Sequence, residues 1–191
     1  MTAHGETKQR VLETARTLFG RQGLHGTGIN QVLTEGGAPK GSLYFHFPGG
    51  KQQLAAEAMA MSADQMATAI SAAIAAAADP PAAVRAMTEA LGQQLAASDF
   101  REGCPLATVA LESADAEAVR EACRGGYQSW LDLIAADLTD HGVDQPAGLA
   151  VLILSCIEGA LLLARVQRSV EPLQQVADRL APLIAKEISH A

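Results

Sequence analysis

Residues 27–51 read Thr27-Gly28-Ile29-Asn30-Gln31-Val32-Leu33-Thr34-Glu35-Gly36-Gly37-Ala38-Pro39-Lys40-Gly41-Ser42-Leu43-Tyr44-Phe45-His46-Phe47-Pro48-Gly49-Gly50-Lys51. The stretch divides into a short helix, a glycine turn, a second short helix and the start of a third. Ile29, Val32 and Leu33 recur at spacings of three and four, one face of a helix. Thr27 is a good N-cap in front of them. Gly36-Gly37 permits a sharp turn. Pro39 suits the first position of the next helix, where its missing N–H has no intrahelical partner. That helix is predicted over about residues 39–45. At under two turns it is unstable alone and must be pinned by neighbours. Leu43 and Phe47 are the side chains that can pin it. This is the layout of a helix-turn-helix.

The flanks supply the neighbours. Upstream, Val11, Ala15, Leu18 and Phe19 share one face of a helix predicted over 7–21, which Gly23 stops. Leu43 and Phe47 are expected to pack on Val11, Leu18 and Phe19. Downstream, Pro48-Gly49-Gly50 closes the unit and a long helix is predicted over 51–78. Asp79-Pro80-Pro81 breaks it. Five further helices are expected, over 82–97, 106–112, 115–141, 146–168 and from Pro172 onward. The fold class is therefore all-α with about nine helices. A helix-turn-helix head fills residues 1–50, and a helical body fills 51–191.

Composition agrees. Of 191 residues 49% are hydrophobic but only 4% aromatic, so alanine and leucine carry the apolar content and favour helix. No run of alternating β-branched residues makes a convincing strand. Residues 1–55 hold six basic side chains against three acidic ones, a surplus of three, although the whole chain carries −7, which leaves −10 for the rest. A basic head on an acidic body suits contact with phosphate at one end only. Cys104, Cys123 and Cys156 lie far apart, without CxxC spacing, which fits a reducing cytoplasm better than a disulfide scaffold. The polar N-terminus shows no signal peptide. The most apolar run, Leu149–Ala164, is short for a membrane span and carries Glu158, so a bundle helix is expected and no membrane partner.

The chemistry of the opening stretch is that of a duplex reader. Lys40, Gly41, Ser42, Tyr44 and His46 lie on the side away from Leu43. Gly41 lets the backbone approach, and Lys40 can meet a phosphate or a guanine edge. Ser42 and Tyr44 can donate hydroxyl hydrogen bonds to phosphate. Thr27, Gly28 and Asn30 at the front of the first short helix, and Lys51 at the start of the long one, complete the expected DNA-binding set. Gly49-Gly50-Lys51 is not a nucleotide-hydrolase phosphate loop, because Phe45 stands where the leading glycine belongs and Gln52 follows the lysine.

The pattern Val11, Ala15, Leu18, Phe19, Gly23, Thr27, Ile29, Val32, Gly37, Lys40-Gly41-Ser42-Leu43-Tyr44, His46-Phe47 and Lys51 resembles the TetR (tetracycline-repressor-type) family of transcriptional regulators. Gly28 stands where that family often has a second threonine or serine, and Pro-Gly-Gly-Lys replaces its usual turn. With Gly103-Cys104-Pro105-Leu106-Ala107, these details resemble the LmrA/YxaF-like branch. The resemblance implies a homodimer on a double-stranded operator, released by a small hydrophobic effector. It implies a cavity for that effector, with Met59, Met66, Ile70, Met87, Leu91, Phe100, Cys104, Leu111, Tyr127 and Trp130 as candidate lining. It also implies a four-helix dimer interface from the last two long helices. There Leu152, Cys156, Leu163, Val176, Leu180 and Leu183 are the candidates, and the all-round apolar helix 146–168 asks for a partner on its own account.

Two alternatives remain open. The cysteines and five histidines could make a redox or metal sensor on the same scaffold, although no histidine pair has metal-ligand spacing. An enzyme is the other, but no nucleophile elbow, carboxylate pair or cofactor loop stands out. No cofactor and no metal are expected.

Overall fold

A computed structural model describes residues 3–188 of the chain, with side chains from residue 5 onward; His190 and the side chain of His4 lie outside what is described. The described residues are all-α, with nine helices and no strand. They are α1 Ala3–Gly26, α2 Ile29–Glu35, α3 Ser42–His46, α4 Gly50–Ala76, α5 Pro80–Ala97, α6 Pro105–Ala110, α7 Glu117–Asp140, α8 Pro146–Gln167 and α9 Glu171–Ile188. The expected order of helices is the observed one. The Pro80-Pro81 break is also a helix start: Asp79 caps α5 by accepting from Ala82 N–H at 2.8 Å, and the prolines take the first positions, where no donor is missed.

The chain forms two compact units. The first is Met1–Asp64 with Cys104–Tyr127, and the second is Gln65–Gly103 with Gln128–Ala191. The first unit thus takes in α6 and the front of α7 besides the head. α4 and α7 each begin in the first unit and end in the second.

In the first unit the apolar stripes meet. Val11, Ala15, Leu18 and Phe19 of α1, Val32 and Leu33 of α2, Leu43, Phe47, and Leu54, Ala55, Ala58 and Met59 of α4 are all buried. Each fully buried Leu or Phe contributes about 1.5–3 kcal/mol. That is what holds a five-residue helix that could not persist alone. Glycines permit close approach at two places. A Cβ on Gly20 would lie 3.3 Å from the Pro105 ring, where α6 crosses α1, and one on Gly126 would lie 2.7 Å from both Ala63 Cβ and Leu106 Cδ2.

In the second unit α5, α8 and α9 pack on one another and on the rear of α7. Val84, Leu138, Val143, Leu149, Ala150, Ile153, Ile157, Leu180 and Ile184 form its core. A corner of unusual backbone sits at its edge. Asp99, Phe100 and Arg168 all have φ between 52° and 58°, and Arg168 bonds Asp99 through both its side chain (2.5 Å) and its carbonyl (3.3 Å).

Candidate nucleic-acid interface

The interface is built on turns. At the end of α2, Gly37 takes φ 61°, Ala38 N–H donates to Leu33 O at 2.8 Å and Gly37 N–H to Thr34 O at 3.2 Å. This paired termination needs a residue free of Cβ strain at the left-handed position, and Gly37 supplies it. The next helix starts later than expected. Pro39, Lys40 and Gly41 form a turn, closed by Ser42 N–H and Ser42 Oγ, both donating to Pro39 O at 2.9 and 2.6 Å. Helical geometry is assigned only over Ser42–His46. Lys40 and Gly41 therefore stand exposed on the turn in front of α3. Phe47 N–H closes the far end on Leu43 O at 2.6 Å.

Most of the expected residues are at least partly exposed. Gly28, Asn30, Lys40, Gly41 and Tyr44 are exposed, and Ser42, His46 and Lys51 are half-buried. Tyr44 is 70% exposed, and a Cβ on Gly50 would lie 3.7 Å from its ring, so the front of α4 backs the tyrosine. Phe45 was not among the expected residues, yet it is 71% exposed. The amides at the front of α4 are partly spent: Gly49 N–H donates to Gln53 Oε1 at 2.8 Å and Gly50 N–H to Phe47 O at 2.8 Å. Lys8 adds no free charge, because its ammonium sits 2.7 Å from Glu57 and 5.3 Å from the Phe47 ring centroid.

Thr27 needs correcting. It is fully buried, and its hydroxyl donates to Gly23 O at 2.7 Å. The N-cap of α2 is Gly28, without a side-chain cap. Thr27 therefore satisfies a carbonyl freed where α1 breaks, and it does not face outward.

The break itself has a partner that sequence reading missed. Gly23 has φ 79° and ψ 174°, and Glu112, just past α6, brings its carboxylate against it. A Cβ on Gly23 would fall 2.2 Å from Glu112 Oε1. Glu112 Oε2 accepts from His25 N–H at 2.6 Å. One carboxylate thus holds the α1–α2 junction, on which the α2–α3 pair is mounted. No periodicity marks Glu112, because it acts from a loop.

Comparison with known proteins matches this arrangement. Residues 11–58 match the bacterial regulatory proteins of the tetR family, and residues 80–179 match the C-terminal domain of LmrA/YxaF-like transcriptional regulators. The HTH-type transcriptional regulator LmrA of Bacillus subtilis is 33% identical over 187 residues, covering 96% of this chain and 100% of that protein. The chain belongs to the TetR family. YxaF of the same organism, an HTH-type regulator, is also 33% identical, over 98% of this chain and 100% of its own. Among solved structures, a TetR transcriptional regulator from Chloroflexus aurantiacus superposes with a TM-score of 0.80 at 28% identity, over 97% of both chains. This regulator is accordingly a DNA-binding protein of transcription, and its family is not one of enzymes.

The second unit of the regulator holds a cavity of about 40 Å³, lined by Ile70, Ile74, Pro80, Ala83, Val84, Met87, Ile134, Asp137, Leu138, Ile153 and Ile157. Of the ten residues expected to line a pocket, Ile70 and Met87 line this cavity. Met59 is fully buried in the first unit, and Trp130, in the second, is 2% exposed. Met66 is half-buried, and Leu91 packs against the core of the second unit. Phe100 lies under Arg168, 5.7 Å from its guanidinium. Cys104 faces the Tyr127 hydroxyl at 3.9 Å within the first unit. Leu111 is 89% exposed because α6 ends before it. The cavity's one ionisable wall, Asp137, is pushed up by burial, against the pull of His141 at 3.4 Å.

Among the expected interface residues, Leu152, Leu163 and Leu183 are exposed, and Cys156 and Val176 are half-buried. Leu180 is corrected: it is buried in the second unit's own core. Val151, Leu162 and Val166 are exposed beside the first group and were not expected.

Proposed function

We propose that this regulator is a homodimeric repressor that holds a palindromic operator and releases it when a small hydrophobic effector binds, working in the cytoplasm. Residues 1–50 read DNA, and residues 51–191 bind the effector and dimerise. The observation that carries the DNA half is the mounting of α3. Two buried residues fix a five-residue helix whose remaining side chains face out beside Lys40 and Gly41. Lys40 reads a base edge or phosphate, while Tyr44 and Lys51 grip the backbone.

Dimerisation is supported by α8, which exposes Val151, Leu152, Leu162, Leu163 and Val166. Exposed large apolar side chains concentrated on one helix of a folded chain mark an interaction site. Two readers on one dimer would match half-sites about 34–36 Å apart or a multiple of that. The effector half is supported by the largely apolar cavity, whose wall includes Ile70 and Ile74 of α4, the helix that begins at the reader. At about 40 Å³ it is smaller than the ~300 Å³ lower bound of ligand pockets, so an effector must part these walls. Parting them shifts α4, and α4 carries Lys51. Linkage then requires that DNA weaken effector binding by the factor by which effector weakens DNA binding.

The redox alternative has less behind it. Burial pushes the Cys123 thiol up to about 11, which leaves on the order of one thiolate in ten thousand at pH 7. The test is selection from a random duplex pool by the purified protein. Enrichment of a palindrome at modest salt is the expected result, and enrichment of no duplex sinks the reading.

A further inference from the structure

We infer that Phe45 is a specificity-determining residue, selecting a pyrimidine that carries a 5-methyl group: thymine or, equally, 5-methylcytosine. The inference rests on the reading that α3 enters the major groove and adds what that helix recognises there.

The geometry begins with the helix wheel. Successive residues turn by about 100°. Leu43 is 3% exposed and Phe47, one residue past the helix, is fully buried, so these two mark the inward side. Phe45 lies midway between them in sequence and about 200° around the helix from each. It therefore points straight out, between Tyr44 and His46. Four residues before it on the same side is Gly41, whose backbone is already helical (φ −73°, ψ −13°) and whose missing Cβ would meet nothing within 4 Å. The phenyl ring stands next to a bare patch of backbone and is the most projecting apolar group of the reading surface.

The ring is also braced. His46 meets Phe45 edge-to-face with centroids 4.9 Å apart and interplanar angle 82°. On its other side His46 approaches the buried Phe47 ring at 6.3 Å. A reading side chain needs this support, because discrimination by contact is lost when the group can swing away.

The chemistry narrows the target. Phe45 has no hydroxyl, so unlike Tyr44 it cannot hydrogen-bond a phosphate oxygen. It cannot pair with the donors and acceptors of guanine, adenine or cytosine edges either. The one apolar group on the major-groove floor is the pyrimidine 5-methyl, which thymine carries and unmodified cytosine lacks. A ring that is 71% exposed gains by covering such a methyl.

The experiment uses the full-length protein and the duplex it selects. Each thymine of one half-site is replaced by deoxyuridine, and each cytosine by 5-methylcytosine. At one thymine per half-site, loss of the methyl should lower affinity about four-fold, and loss in both half-sites about fifteen-fold. Cytosine at that position should bind more weakly than 5-methylcytosine. In Phe45→Ala the difference between thymine and deoxyuridine should vanish, while Phe45→Leu, still apolar, should keep it. Both variants should melt at the wild-type temperature, since the side chain is exposed. The deoxyuridine series needs no variant and stands if either fails to fold. A protein that binds no duplex overturns the underlying reading. A protein that binds but ignores every methyl overturns this inference alone, and so does a Phe45→Ala protein that keeps the methyl preference.

Discussion

In the proposed function α3 and α8 both offer side chains to something outside the chain, and they do it in opposite ways. α3 has five residues and spends Leu43, with Phe47 just beyond it, on being held; the others are free to carry polarity, charge and an aromatic ring. α8 has 22 residues and buries Leu149, Ile153, Ile157, Ala160, Leu161 and Ala164 along one side while showing leucine and valine on the other. The first presents chemistry at chosen points. The second presents area. Recognition by points gives discrimination between sequences, and apolar area gives a non-directional driving force for association. A regulator needs the first to find one site among many and the second to double it.

The hardest blow to this contrast is on the area side. Leu152→Glu with Leu163→Glu places two carboxylates on the apolar face without disturbing the core. The protein should sediment as a monomer, and operator affinity should fall at least ~100-fold through lost avidity. A monomer that binds the full operator undiminished would break the link between area and affinity. Next in size is the seating of the reader. Gly23→Ala forces a side chain into a backbone region that only glycine occupies freely, and onto the Glu112 carboxylate. A loss of about 2–3 kcal/mol in urea unfolding is expected. Adding Glu112→Ala should return only part of it, because the clash is relieved and the dihedral is not.

Smaller effects test the points themselves. Tyr44→Phe removes one hydroxyl at a backbone contact and should weaken all duplexes alike by about five- to ten-fold, roughly 1–1.5 kcal/mol. Lys40→Ala should in addition change which base is preferred at one position, as seen in a repeated selection. If both variants alter preference, position and specificity are not divided as described. The smallest effect is in the cavity wall. Burial raises the Asp137 carboxyl above its ordinary range, so in the folded protein the charged form is the disfavoured one. Its contribution to stability is therefore full below the unfolded carboxyl range and is lost as pH rises through the folded pKa. Asp137→Asn should match wild type in acid and become the slightly more stable protein toward neutrality, read from melting temperatures across pH.

The contrast also explains what the sequence revealed. A reading helix is local: Leu43, Phe47, Gly37 and Lys40 lie within a dozen residues, and their spacing alone defines the outward side. Phe45 was within reach of that argument, since it sits midway between the two buried positions. Its apolar character is what concealed it. Thr27 misled for the opposite reason, because a threonine before a helix is usually a cap and here a freed carbonyl claims the hydroxyl first. The cavity was out of reach. Its walls come from four helices, and in sequence a methionine that lines it, as Met87 does, looks like one that is buried elsewhere, as Met59 is. Glu112 belongs to the same class, since its partner is a backbone 87 residues away.

The division of labour inside α3 has an evolutionary side. The residues that keep the helix in place, Leu43 and Phe47, are not the exposed ones proposed to face the duplex, and positions 40, 44 and 45 bear little of the fold's stability. Substitutions there can be tried without unfolding the protein, because surface changes away from structural features stay within about ±0.5 kcal/mol. Descendants of this regulator can therefore move to new operators one residue at a time, each remaining a folded protein on the way.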